Sequence, residues 1–248
     1  MILLKSLQEI AKMEKANRIV AEVLEGVKEK IQPGIETREL DELAEEMCRK
    51  HRVTPAFKGY RGYPRSICVS VNEEVVHGIP GPRRLKAGDL VSLDFGVKYE
   101  GFYGDAAITV GVGDVGEKAR ALMAVTEESL YAGIAKVKAG KRLSDVSHAV
   151  QTVVEGAGFG VIREFVGHGI GRSLHEDPQI PNYGPPDRGP TMQVGMTFAI
   201  EPMTSMGSWQ VRILKDGWTA ITQDGSLAAH FEHSVALTEN GVLILSRL

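Results

Sequence analysis

Asp94 and Asp105 are the residues whose types and spacing first point to chemistry. They lie in Leu90 to Gly113, LVSLDFGVKYEGFYGDAAITVGVG, two β-rich runs around Tyr99-Glu100-Gly101. That pattern predicts a β-hairpin. Each carboxylate has apolar or small neighbours, Val-Ser-Leu before Asp94 and Ala-Ala-Ile after Asp105. Their numbering places them within about two positions of being opposite, a difference that a bulge would close. Like charges on half-buried strands repel each other and resist desolvation, so the arrangement calls for cations between them. Oxygen ligands suit hard or borderline divalent ions, and two facing carboxylates can serve two of them. The competing reading is one strand-edge Asp and one turn Asp, both solvated.

Three further residues join the set. His168 sits between Gly167 and Gly169, which let the backbone approach a ligand closely and take positive φ. Glu201 ends the apolar run Met196-Thr-Phe-Ala-Ile and is followed by Pro202, so it emerges at a strand's end. Glu232 opens the last strong strand pattern, Phe231–Leu237. Taken singly, each acid reads as a turn or strand-end group and the histidine as a turn residue. Four carboxylates with one imidazole and no thiolate disfavour structural zinc and suit Mn(II), Fe(II), Co(II) or catalytic Zn(II). Two such ions about 3.5–4 Å apart activate water at neutral pH and polarise a carbonyl, which is hydrolytic chemistry. Glu201 is the candidate proton shuttle. His77 and His175 lie in Gly/Pro-rich or post-Gly segments and are not needed for the metal set. They are candidates to donate to a developing oxyanion. His51 and His148 sit in helical patterns and read as structural.

The elements that must position these groups follow from periodicity. Residues 6–31 read as a helix with Ser6 as N-cap, and Thr37–Arg52 as a second after the break at Gln32-Pro33-Gly34. Residues 53–65, VTPAFKGYRGYPR, read as a loop that exposes Phe57, Tyr60 and Tyr63. Ile67–Val71 reads as a strand, 116–137 and 144–157 as helices, and 177–190 as a Pro-rich loop. At least three β-rich runs follow: Met196–Ile200, Trp209–Thr222 and Phe231–Leu237. Helix-break-helix followed by strands thus occurs twice. At an offset of about 107 positions, Leu85–Asp94 matches Met192–Glu201, which places Glu201 where the first half places Asp94. The architecture implied is α+β, one domain over 1–248, with related halves roughly 1–113 and 114–248 enclosing a site.

Composition narrows the class. The chain of 248 residues is 43% hydrophobic and 25% charged, that of an ordinary globular protein. A net charge of −3 gives no bulk attraction to nucleic acid, and Arg83-Arg84-Lys86 reads as a solvated face. Two cysteines, Cys48 and Cys68, make no disulfide framework. No run approaches a membrane span or a signal-peptide core, so the cytoplasm is the default.

VNEEVVHGIP, SLDFGV with GDAAIT, FVGHGIGRSLHEDP, FAIEP and FEHSVALT, in that order, closely resemble the type I methionine aminopeptidases over nearly the whole chain. The resemblance implies the pita-bread fold, two pseudo-symmetric halves around a central antiparallel sheet. It also implies removal of the initiator methionine from nascent polypeptides whose second residue is small. By that resemblance Asp94 binds one metal bidentately, Asp105 and Glu232 bridge, and His168 and Glu201 complete the other ion. His77 and His175 match the substrate-contacting histidines, and Tyr60, Tyr63, Cys68 and Trp218 match the methionine pocket. Phe57 stands where a cysteine is common, and Leu174 where an aromatic is common; both bear on the pocket's shape. The form expected from the resemblance is the one without an N-terminal metal-binding extension and without the type II insertion. With Ile2 as the second residue, Met1 is expected to be retained.

Two alternatives stand beside this reading. Xaa-Pro aminopeptidases and prolidases share the fold and the ligands but usually carry a large extra N-terminal domain. A non-catalytic peptide- or ribosome-binding module on the same scaffold would lack metal ligands, and all five are present. The partners expected are N-termini beginning with Met and, for an enzyme of nascent chains, the ribosome. No membrane, no sequence-specific nucleic acid and a monomeric state are also expected.

Overall fold

The computed structural model describes residues 1–247. Helix α1 (Leu7–Lys28) begins at Ser6, whose hydroxyl accepts from the Glu9 amide while the Glu9 carboxylate accepts from the Ser6 amide. This reciprocal box satisfies two donors that a helix end leaves unpaired. Helix α2 (Thr37–His51) stops where Arg52 turns left-handed at φ 57°. Helices α3 (Glu117–Ile134) and α4 (Ser144–Gly156) form the second pair. No helix among the described residues is long and apolar enough to cross a membrane.

Among the described residues the main antiparallel sheet runs Thr54–Pro55, Leu90–Tyr99, Phe102–Gly111, Glu232–Thr238, Thr197–Ile200, Gly167–Gly169, Glu176–Ile180. Ile67–Val71 also pairs with Leu90–Tyr99, and Gly241–Ile244 with Glu232–Thr238. The central hairpin turns through Glu100 and Gly101, both at positive φ, 46° and 85°. Its primed geometry matches the right-handed strand twist. The register is unbroken from Leu90↔Gly111 to Tyr99↔Phe102, so the bulge anticipated between the two aspartates is absent. None is needed: Asp94 faces Ala107, Asp105 faces Gly96, and a two-residue offset keeps both on one face.

The two faces of the sheet differ. Val91, Leu93, Phe95 and Val97 pack against Ala16, Val20 and Leu24 of α1 and Leu40 and Ala44 of α2. Phe198, Ile200, Val235 and Leu237 pack against Leu130 and Ile134 of α3 and Val146 of α4. Each fully buried side chain of this kind contributes roughly 1.5–3 kcal/mol. Both helix pairs therefore cover the same face. The alternating positions, Asp94, Asp105, Glu232 and Ala199, point from the other face.

Candidate metal centre

Following strand pairings across the sheet lays the singled-out residues in two adjacent rows. In the first, Cys68 faces Asp94, Asp94 faces Ala107, and Ala107 faces Glu232. The pairing of His233 with Ile200 sets Glu201, one step past the strand, next to Glu232. In the second row, Gly96 faces Asp105, and Ser234 faces Ala199, which faces His168. Ser234 joins the row to Asp105 by donating its hydroxyl to the Asp105 carbonyl at 2.8 Å. The residues between the acids are thus Gly, Ala and Ser, which leave open space where larger side chains would fill it. At Gly96 the limit is tight: a Cβ would lie 3.1 Å from Asp105 Oδ1 and 3.0 Å from Phe57 Cε1.

Asp105, His168 and Glu232 are all buried, and each offers a ligand atom within 4.8 Å of the others. Asp105 Oδ1 and Glu232 Oε1 have no hydrogen-bond partner. Buried polar atoms left unpaired are costly, and a cation is the group that would satisfy two acceptors at once. His168 Nδ1 lies 2.9 Å from the Gly169 carbonyl, which fixes the proton there and leaves Nε2 free, 3.4 Å from Glu201 Oε1. Burial pushes the Asp94 carboxyl up to about 7. Burial and then neighbouring carboxylates push Asp105, Glu201 and Glu232 well above the ordinary range. Burial holds His168 down at about 4, so its imidazole is neutral, the form that ligates metals. The donor set, burial and orphaned oxygens fit divalent ions.

His77 and His175 stand at the rim. His77 sits at φ 61°, a left-handed conformation that costs on the order of 1–3 kcal/mol for a non-glycine and is found at functional sites. Its ring meets Phe165 and Trp218 edge-on, at 5.3 and 6.2 Å. The His175 ring lies 4.2 Å from that of His168 and stacks on Tyr60, with Nδ1 at 2.9 Å from the Tyr60 hydroxyl. Burial lowers both histidines, His175 to about 3, where neighbouring His168 adds to the shift. Both histidines and the five metal-set residues line one cavity of about 140 Å³, walled by Phe57, Tyr60, Tyr63, Cys68, Leu174 and Trp218. A larger groove lined by Ala132 of α3, Lys136, Lys138 and Lys141 of the connection after it, α4 and Pro186 carries a single acid, Asp145, and gathers no comparable ligand set.

The profile of Metallopeptidase family M24 matches residues 11–239. A methionine aminopeptidase of Bacillus subtilis is 54% identical over 248 residues, covering 100% of both chains. One from Clostridium perfringens is 53% identical, covering 99% of each. The chain belongs to the methionine aminopeptidases of metallopeptidase family M24. Its architecture agrees: the solved methionine aminopeptidase of Thermotoga maritima superposes with a TM-score of 0.98 at 53% identity, over 100% of both chains. A prolidase of Pyrococcus furiosus shares the fold at a TM-score of 0.81 and 24% identity, with 65% of its chain covered. The fold is therefore the pita-bread fold, and the chain is a metallopeptidase with a candidate metal-ligand cluster.

Several details differ from what the sequence suggests. Phe57 and Tyr63 are not exposed loop aromatics; they are 7% and 3% exposed and form the apolar side of the cavity. Tyr63 is held by donating to Gly78 O at 2.9 Å. Gly167 and Gly169 do not take positive φ. They are needed because a Cβ would lie 2.4 Å from Ala199 O and 2.1 Å from Asp177 O, so neighbouring strands press on both sides of His168. Arg61, beside the Tyr60 ring, lines the cavity, and Phe165 packs on His77; neither was singled out from sequence. Phe165 meets a partner far along the chain, and Arg61 faces the metal cluster only once its loop folds over the sheet, so no spacing announces either. His230, two residues before Glu232, is buried with both ring nitrogens unpaired, and its only sequence signal is adjacency to the FEHS motif.

Proposed function

We propose that this enzyme removes the initiator methionine from polypeptides whose second residue is small, with two divalent ions held between its acidic rows. The observation that carries the reading is the Asp105–His168–Glu232 cluster with two orphaned carboxylate oxygens at the floor of an apolar, aromatic-walled cavity. In this reading Asp94, Asp105, His168, Glu201 and Glu232 would hold the ions. The bound ions would polarise the scissile carbonyl and lower the pKa of an attacking water. Glu201 accepts the water's proton and passes it to the leaving amine. His77 and His175, neutral at physiological pH, donate to the substrate's amide and to the oxygen on which charge develops. Phe57, Tyr60, Tyr63, Cys68 and Trp218 enclose the methionine side chain, whose polarizable thioether suits aromatic edges and a thiol.

Cytoplasmic location, a monomeric state and ribosome contact complete the proposal. Arg83 and Arg84 pair with Glu74 and Glu36, which weakens that cluster as a docking face. Alanine at Arg83, Arg84 and Lys86 is expected to leave ribosome co-sedimentation unchanged.

The test uses metal-stripped protein resupplied with Mn(II), Fe(II), Co(II) or Zn(II) singly. The substrates are Met-Ala-Ser, Met-Leu-Ser, Leu-Ala-Ser and Ala-Pro-Ala. Metal-dependent release of methionine from Met-Ala-Ser, weak on the others, is the expected result. Cleavage mainly before proline would move the chain to the Xaa-Pro specificity, and no cleavage with any metal would overturn the reading.

A further inference from the structure

The segment that carries His175 is clasped by the amino-terminal strap. Lys5 donates its backbone N–H to Gly195 O at 2.7 Å, which pins the strap to the turn that leads into Thr197–Ile200. Its ammonium then reaches the Glu176 carboxylate and donates to Leu3 O at 3.0 Å. Both charged side chains of this pair are buried, 4% and 7% exposed. A second pair, Arg172 with Glu9, joins the same segment to α1 at the surface.

A buried ion pair roughly breaks even in stability against apolar residues of the same volume, so its presence asks for a geometric reason. The Glu176 carboxylate supplies one. Its Oε1 accepts from the Arg172 and Ser173 amides at 2.7 and 3.1 Å, while Oε2 takes the Lys5 ammonium. One side chain therefore sets the turn just before His175, and Lys5 sets that side chain. The site is shaped for the lysine: a Cβ on Gly171 would lie 2.3 Å from Lys5 Cε and 2.9 Å from its Nζ. Leu174 is buried in the apolar cluster beneath, so the segment is fixed from below as well.

We propose that the Lys5–Glu176 ion pair is a positioning device for His175, holding segment 171–175 so that the imidazole stands over His168 and against the Tyr60 hydroxyl. This rests on the reading of His175 as a substrate-facing group. Misplacement of such a group by about 1 Å lowers turnover on the order of a hundredfold, even when the cause lies outside the site.

The experiment is a double-mutant cycle on the Mn(II)-loaded enzyme with Met-Ala-Ser, using Lys5→Met, His175→Ala and the pair. Lys5→Met is expected to lower kcat about tenfold to a hundredfold, with KM within about twofold. In the His175→Ala background the same change costs less than about twofold, because the group it positions is gone. Histidine NMR spectra of the metal-free protein provide a readout independent of activity: Lys5→Met shifts the His175 ring resonances and leaves those of His77 in place. Should Lys5→Met fold poorly, Lys5→Met/Glu176→Gln removes both charges and keeps an acceptor for the two amides. Its kcat loss is likewise absent when His175 is alanine. Equal losses in both backgrounds, or no loss in either, would overturn the proposal. A His175→Ala enzyme of full activity would instead overturn the substrate-facing reading, and the positioning role with it.

Discussion

The four carboxylates set the chemistry at the scale of single residues. Burial pushes Asp94 up to about 7, whereas the same group in an unfolded chain titrates near 3.8. With no cation bound, the folded chain holds more protons than the unfolded one between those values. The contribution to stability is therefore complete below about pH 4 and is lost as pH rises through about 7. A divalent cation reverses the sign, because it binds the deprotonated set. Metal-stripped protein is expected to melt at progressively lower temperature from about pH 5 to about pH 8, and Mn(II)-loaded protein is not. Asp94→Asn is expected to raise the melting temperature of stripped protein at the alkaline end by about 2–4 °C per kcal/mol of repulsion relieved. The same variant weakens Mn(II) binding in calorimetry. A pH-independent melting temperature in stripped protein would show that the carboxylates ionise freely. Residue type and order were legible here, since acids in apolar runs stand out. The reasons for Gly167 and Gly169 were not, because the carbonyls of Ala199 and Asp177 that press on them come from other strands.

At the scale of elements, the hairpin decides whether two acids can share an ion. Period-two alternation puts Asp94 and Asp105 on one face without a bulge, and the third strand brings Glu232 beside Ala107. Ala107, 1% exposed, is the spacer between the Asp94 and Glu232 carboxylates. Ala107→Val adds two methyl groups there. The expected cost is about 1–3 kcal/mol of stability by overpacking, with metal affinity falling about tenfold to a hundredfold. Circular dichroism melts and Mn(II) titration separate the two effects. Unchanged metal affinity would place the ions away from this row. The helices and the long strands were legible because their periodicity spans several turns or alternations. The three-residue strands Met203–Ser205 and Ala228–His230 were not: all their positions are buried, so they show no alternation at all.

At the scale of the whole molecule, both helix pairs cover one face of the sheet, and the loops after α2 and before Glu176 close over the other. The cavity that results is small, about 140 Å³, and its walls come from distant segments: Phe57, Tyr60 and Tyr63 from one loop, Leu174 from another, Trp218 from a third. Such a wall is nearly invisible in sequence, since each aromatic looks like an isolated loop residue until the chain brings them together. Its size carries the specificity argument. Removing methylene groups from an apolar pocket changes discrimination by about 1–3 kcal/mol, or roughly 10–200-fold. Leu174 is 2% exposed and lines the cavity beside the apolar cluster of Phe57, Tyr63 and Cys68. Leu174→Ala is expected to enlarge the space and lower the kcat/KM ratio of Met-Ala-Ser over Leu-Ala-Ser by about tenfold. Lost wall contacts weaken ground state and transition state alike and raise KM for the methionine peptide, whereas any loosening of the His175 segment lowers kcat on both peptides and leaves the ratio unmoved. A ratio that stays within about twofold of the parent would mean that the first substrate residue does not reach Leu174. In that case Phe57, Tyr60, Tyr63, Cys68 and Trp218 would set the pocket's limit without it.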